Sequence, residues 1–210
     1  MATTKNNPKG SAEKPSGLNP HIILGIDPGY DRCGIAVLEE LTPTTVTTTR
    51  AHSSNKTALL YSTCIETDTK APFETRLAHV VDSILKVVAE FHPSSLAIET
   101  LFFSNNRKTA MHVAETRGAI IYAAHHAGLS INEYSPAAVK IAVTGYGASD
   151  KNAVMNMIPR LITFSKNPTK TAAPISTLTP KLRDDEFDAI AVAITHGAHR
   201  QGAEKLRLYR

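Results

Sequence analysis

Cysteine is scarce in this chain: Cys33 and Cys64 are the only two in 210 residues. Two cannot form a disulfide framework, and they suit a reducing compartment, each reading as an inert small hydrophobe. Long apolar runs are missing, with none near the roughly 20 residues that a membrane-spanning helix needs. The opening "MATTKNNPKGSAEKPSGLNP" has no apolar stretch of the kind a secretory signal carries, so the expected residence is the cytoplasm. Repeats are absent too, and nothing marks a second domain. What is present, 42% hydrophobic and 20% charged residues, is the composition of a soluble globular protein with one substantial core.

A strong charge of either sign is also lacking in the middle of the chain. Of the net +4, residues 1–20 carry +2 and residues 200–210 carry +3, leaving the stretch between them near −1. A polyanion binder with such a centre must gather its basic residues on one face, or neutralise several acids with bound cations.

Order is expected to begin at "HIILGID" (21–27), a short β-branched apolar run that reads as a buried strand. After the turn "PGYDRCG", "IAVLEE" reads as a second strand, and residues 42–65 as the rest of a meander containing a long loop. In "FETRLAHVVDSILKVVAEFHP", Leu77, Val80, Val81, Ile84, Val87, Val88 and Phe91 recur at helical spacing, and His-Pro ends the helix. "SLAIE" predicts a strand, residues 107–126 a helix stopping at Gly128, and "LSINEY" another strand. Ser135 and Pro136 predict the N-cap and first position of the next helix, and Ser149 the cap of one over roughly 150–162. Residues 165–183, rich in Pro, Thr and Lys, read as a long loop before a last helix from Asp185 or Glu186 to about His199. The order β-β-β-α-β-α-β-α-α-α predicts an α/β domain over residues 21–199, a mixed five-stranded sheet flanked by helices. Basic tails, the first of them disordered, are expected at 1–20 and 200–210.

Functional residues of such sheets gather where strand ends meet helix starts. Asp27 ends the first strand, and Asp-Pro-Gly also makes a good turn, so two readings stand. Glu99 ends "SLAIE" and is followed by "TLFF"; an acid between apolar segments needs a partner or a metal. Asp185 and Asp188, three apart, share a helix face, whereas Asp184 and Glu186 suit helix-start charge. The alanines of "DAIAVAIT" let that helix approach a sheet closely. Four converging carboxylates would raise one another's pKa, unless hard cations such as Mg²⁺ or Mn²⁺ lay between them. Two such ions about 4 Å apart serve phosphodiester hydrolysis. His196 and His199 read as packed or surface histidines, a metal-adjacent base being the other reading.

The stretches "ILGIDPGYDRCGIAV", "LAIETLFFSNN", "TGYGASDKNAV" and "DEFDAIAVAITH" together resemble the successive motifs of RuvC-type Holliday junction resolvases, in the family's order across roughly residues 21–199. The resemblance implies an RNase H-like fold and a homodimer, each subunit nicking one strand of a four-way DNA junction. It implies that Asp27, Glu99, Asp185 and Asp188 bind Mg²⁺ or Mn²⁺, two ions per site, for in-line attack by water. Phe102 would stack on an unpaired base near the crossover, Phe103 being the better core residue. Lys140 and Lys151 would meet phosphate or the transition state. Lys151 sits in a first helical turn, where the dipole gives no reason for a cation; Lys140 reads equally well as a solvated helix residue. Arg107 and Lys108 are further phosphate candidates, and RuvA and RuvB are partners the resemblance suggests.

The N-terminal tail, the loop around 42–60 and the stretch 165–183 exceed what a compact resolvase needs. The last of these directly precedes the acid pair, so Asp184 stays open as the alternative to Asp185. A RuvX/YqgF-type RNA nuclease shares the "GxDxGxxxxG" opening but lacks both the "AIE" strand end and "TGYGASDK". A sugar-kinase-like fold needs a second nucleotide domain. A non-catalytic junction-binding module would be expected to lose acids, and all four are present.

Overall fold

The computed structural model describes residues 21–40, 57–101, 107–164 and 182–208. Strands β1 (Ile22–Asp27), β2 (Arg32–Glu40) and β3 (Thr57–Glu66) come first, then α1 (Phe73–Phe91), β4 (Ser95–Glu99), α2 (Arg107–His126) and β5 (Ser130–Tyr134). Helices α3 (Pro136–Thr144) and α4 (Lys151–Leu161), the short β6 (Thr163–Phe164) and α5 (Asp184–Leu208) complete the chain. The sheet runs β5-β4-β1-β2-β3-β6. Its five expected strands are all there; β6 adds two residues at the edge, too few to leave a periodic signal in the sequence.

At β1 the pairing of the sheet changes from antiparallel to parallel. The strand runs antiparallel to β2 and parallel to β4, and β5 extends the parallel side. Successive side chains point to opposite faces, so this central strand is apolar on both. Leu24 and Ile26, with Ile35, Val37, Leu96 and Ile98, pack under Val80, Ile84, Val87 and Phe91 of α1 and Ile120 and Ala124 of α2. Ile23, Ala36, Leu38 and Ala97 point the other way, into a second core shared with α3, α4 and the Ala189–Ala193 segment of α5.

Several boundaries differ from the sequence reading for local reasons. β2 begins at Arg32 rather than Ile35 because the turn after β1 is tight: a Cβ on Gly29 would lie 2.0 Å from the Arg32 carbonyl oxygen. Arg76, buried at the start of α1, fastens that turn by pairing with Asp31 and donating to the carbonyl of Tyr30 and the hydroxyl of Thr67. Ser135 caps α3 as expected, accepting from the Ala138 amide at 3.2 Å. α4, however, is capped by Asp150, whose carboxylate accepts from the Ala153 amide at 2.7 Å, and not by Ser149. α5 starts at Asp184 and continues past His199 to Leu208, its two later glycines failing to stop it. The tail at 1–20 and residues 165–181 lie outside the described residues.

Candidate active site

The alternation that buries Ile23 and Ala97 under α5 also assigns Gly25, Asp27, Gly34 and Glu99 to that face. In the parallel pairing of β1 with β4, Ile26 stands opposite Ile98, so the next step outward sets Asp27 beside Glu99. Both carboxylates therefore leave the carboxyl ends of neighbouring parallel strands on the side where α5 lies. How closely α5 lies is set by glycine. A Cβ on Gly25 would come within 2.4 Å of the Ala189 carbonyl oxygen, and one on Gly34 within 1.9 Å of that of Asp185. Small residues on both surfaces let the first turn of α5 rest on the sheet backbone, bringing its acids to the strand ends.

The electrostatics report the convergence. Burial, then the charges of Asp188, Glu99 and Asp185, push the Asp27 carboxyl up to about 7, with Lys151 acting against them. Glu99 is raised by burial and by Asp188, with Lys140 opposing. Asp188 is raised by burial, opposed by Lys151, and raised further by Asp184 and Asp185. These are acids crowding one another in a partly dehydrated recess, which costs free energy unless positive charge is near. All four sequence-selected acids are thus in one place.

The chain's own cations take up part of the imbalance. Lys151 Nζ lies 3.2 Å from both Asp184 Oδ2 and Asp188 Oδ2, and Arg32 Nε lies 3.3 Å from Asp185 Oδ2. Cys64 Sγ is 3.6 Å from the same Asp185 oxygen. The acid pair accounts for a lysine in the first turn of α4, which the helix dipole leaves unexplained. Among the described residues, no three His, Cys, Asp or Glu side chains are drawn closely enough to hold a metal ion. The donor set nevertheless suits a hard divalent cation: carboxylate oxygens with uncompensated charge, two of them engaged by side-chain cations.

The opening acids of α5 divide clearly. Asp184 is 60% exposed, whereas Asp185 is 16% and Asp188 36% exposed. The charge of Asp185 is among the larger influences raising Asp27. Glu186 is buried and does the capping: it accepts the Arg183 amide at 3.3 Å and the Ser62 hydroxyl at 2.7 Å.

Lys140 is partly buried on α3 and its charge bears on Glu99. Phe102 lies outside the described residues, and Arg107 and Lys108 open α2 with their side chains outside them. His196 sits about two turns beyond Asp188 on α5, buried, its Nδ1 2.8 Å from the Tyr134 hydroxyl. Burial, and then His21, lower it to about 4, so it is a packed neutral ring away from the acids. Sequence reasoning missed Arg32 and Arg76, whose roles depend on contacts across the fold. It also missed Gly25 and Gly34, which a period-2 reading with α5 laid on that face could have found.

Known proteins resemble this chain over most of its length. The family described as "Crossover junction endodeoxyribonuclease RuvC" matches residues 23–196. The protein of that name from Ruminiclostridium cellulolyticum is 34% identical over 183 residues, covering 87% of this chain and 95% of its own length. Its counterpart from Thermosipho melanesiensis is 36% identical, covering 81% and 93%. Among solved structures, Thermus thermophilus RuvC in complex with Holliday junction substrate superposes with a TM-score of 0.68 at 26% identity, covering 87% of this chain and 96% of that one. The yeast mitochondrial Holliday junction resolvase Ydc2, 13% identical, shares the fold with a TM-score of 0.62, covering 92% and 85%. The mixed sheet flanked by helices is the RNase H-like architecture of these nucleases. With its motifs, its fold and the match over residues 23–196, the chain belongs to the RuvC family of crossover junction endodeoxyribonucleases.

Proposed function

We propose that this protein resolves four-way DNA junctions as a structure-selective endodeoxyribonuclease, nicking two strands of like polarity symmetrically. The observation that carries the reading is the convergence of Asp27, Glu99, Asp185 and Asp188, from two adjacent strand ends and one helix start, in a chain of this family. Asp27, Glu99, Asp185 and Asp188 are the ligands proposed for divalent metal, Mg²⁺ or Mn²⁺, with two ions per site. When bound, such ions activate water and stabilise the leaving oxygen of a phosphodiester.

The chain's own residues prepare that chemistry. Asp27, with its carboxyl at about 7, holds a proton through much of the acid-to-neutral range and must release it to act as a ligand. Lys151 and Arg32 keep Asp188 and Asp185 oriented at the mouth of the recess and attract phosphate to it. Lys140 offsets Glu99 from the α3 side. Phe102, Arg107 and Lys108 complete the proposed DNA contacts. A homodimer supplies the second active site for the paired nick, with RuvA and RuvB as proposed partners and the cytoplasm as proposed location.

The test is incubation of purified protein with a synthetic four-way junction, a linear duplex and a Y-fork, in Mg²⁺ or EDTA, beside Asp27→Asn. Symmetric, metal-dependent nicking of the junction alone, lost in the variant, is expected. Equal cleavage of the duplex, or full activity in the variant, would overturn the reading.

A further inference from the structure

Among the described residues most large apolar side chains are covered, yet Tyr146 is 66% and Ile141 55% exposed. Ile141 belongs to the last turn of α3, and Tyr146 to the turn joining α3 to α4. This turn is held in one shape by its own hydrogen bonds. α3 ends in Gly145 at φ 80°, a left-handed conformation that glycine adopts without strain, with its amide donating to the Ile141 carbonyl at 2.8 Å. Thr144 Oγ1 is 2.7 Å from the Lys140 carbonyl oxygen, to which it donates, and accepts from the Tyr146 amide at 3.2 Å. It also lies 2.7 Å from the Ser149 hydroxyl, while the Ser149 amide donates to the Tyr146 carbonyl at 3.2 Å. The backbone of Gly147 rests on Ile141, where an added Cβ would meet the side chain at 3.2 Å. A tyrosine on so fixed a turn loses little further freedom on binding.

The turn lies in sequence between two lysines that bear on the acids. Lys140, on one side in the sequence, bears on Glu99; Lys151, on the other, bears on Asp188 and Asp27. The turn therefore connects the two lysines that address the acid cluster. A large flat side chain with a polar tip, between phosphate-attracting lysines, suits a nucleotide.

We propose that Tyr146 is a DNA-contacting residue that stacks on an exposed base of the strand entering the acid cluster. The proposal rests on the reading of this chain as a junction nuclease and adds a stacking contact from the α3–α4 turn.

The experiment measures binding of a fluorescent four-way junction by anisotropy in EDTA, at several salt concentrations. It compares the Asp27→Asn protein with the same protein also carrying Tyr146→Ala or Tyr146→Phe. Expected is a loss of roughly 5- to 100-fold in affinity for the alanine variant, with the salt dependence unchanged because no phosphate contact is removed. The phenylalanine variant should bind within about twofold of its parent. Thermal melting and molecular mass should be unaltered. Binding by the alanine variant within twofold of its parent overturns the proposal, as does a shallower salt slope. A changed molecular mass also overturns it, making this turn a contact between copies of the chain. If the parent itself shows no preference for junction over duplex, the junction-nuclease reading fails, and the stacking role with it.

Discussion

Replacing Asp27 by asparagine should stabilise the metal-free protein at neutral and alkaline pH while abolishing nicking. The Asp27 carboxyl stands at about 7 in the fold against an ordinary value of 3.8, because burial and three neighbouring acids oppose its charge. A raised folded pKa means that stability is fully present below the ordinary value and is lost as pH rises through about 7. At about 1.4 kcal/mol per unit, the ceiling on that loss is about 4 kcal/mol at pH 8, falling to under about 2 kcal/mol at pH 5. Asp188 and Glu99 are raised as well and share the same repulsion, so about half the ceiling, roughly 2 kcal/mol, is the expected gain. For a chain of this size that is about 4–8 °C in melting temperature. Differential scanning calorimetry in EDTA at pH 8 and pH 5 measures it, and saturating Mg²⁺ should narrow the gap by stabilising only the parent. An Asp27→Asn variant that melts no higher than the parent at pH 8, or gains equally at both pH values, would refute the crowding of these acids.

Three further outcomes are expected. Gly34→Ala puts a Cβ 1.9 Å from the Asp185 carbonyl, so α5 must lift from β2. Urea denaturation should show a loss of about 1–3 kcal/mol, and nicking should fall far more than that loss explains; near-normal cleavage would show that α5 need not sit so close. Arg32→Ala removes a half-exposed pair, its aspartate 16% exposed, and should cost about 1–2 kcal/mol of stability, yet lower the Mg²⁺ concentration for half-maximal nicking by uncovering Asp185. A higher Mg²⁺ requirement would show that Arg32 serves the DNA and not the acid. His196, lowered to about 4, contributes stability that is complete above about 6.5 and lost as pH falls through about 4. Tyr134→Phe should cost about 1 kcal/mol at pH 7 by removing the 2.8 Å bond to His196, and no change would place that bond outside the folding balance.

The acids were legible in the sequence because position encodes them. A carboxylate directly after an apolar strand has one place to go, and Asp27 and Glu99 end neighbouring strands on one face. Asp185 and Asp188 share a helix face by spacing alone. What brings the two sets together was half legible: the alanines of α5 were visible, but the glycines that receive them become meaningful only once β1 and β2 lie beneath that helix. Arg32 and Arg76 could not be read, since each acts on residues far along the chain or across a turn. The Asp150 cap was misplaced by one residue because Ser149 and Asp150 are both good caps, and the choice depends on which side chain reaches the Ala153 amide. Ser149 is instead committed to Thr144.

These four carboxylates are proposed to share divalent metal. The most direct measurement is anomalous diffraction from a crystal of the protein soaked in Mn²⁺. Manganese peaks are expected, ligated by Asp27 together with Glu99, Asp185 and Asp188, with the Lys151 ammonium displaced from Asp188. Manganese held by Asp184 in place of Asp185, or absent from the recess in a protein that still nicks junctions with Mn²⁺, would contradict it.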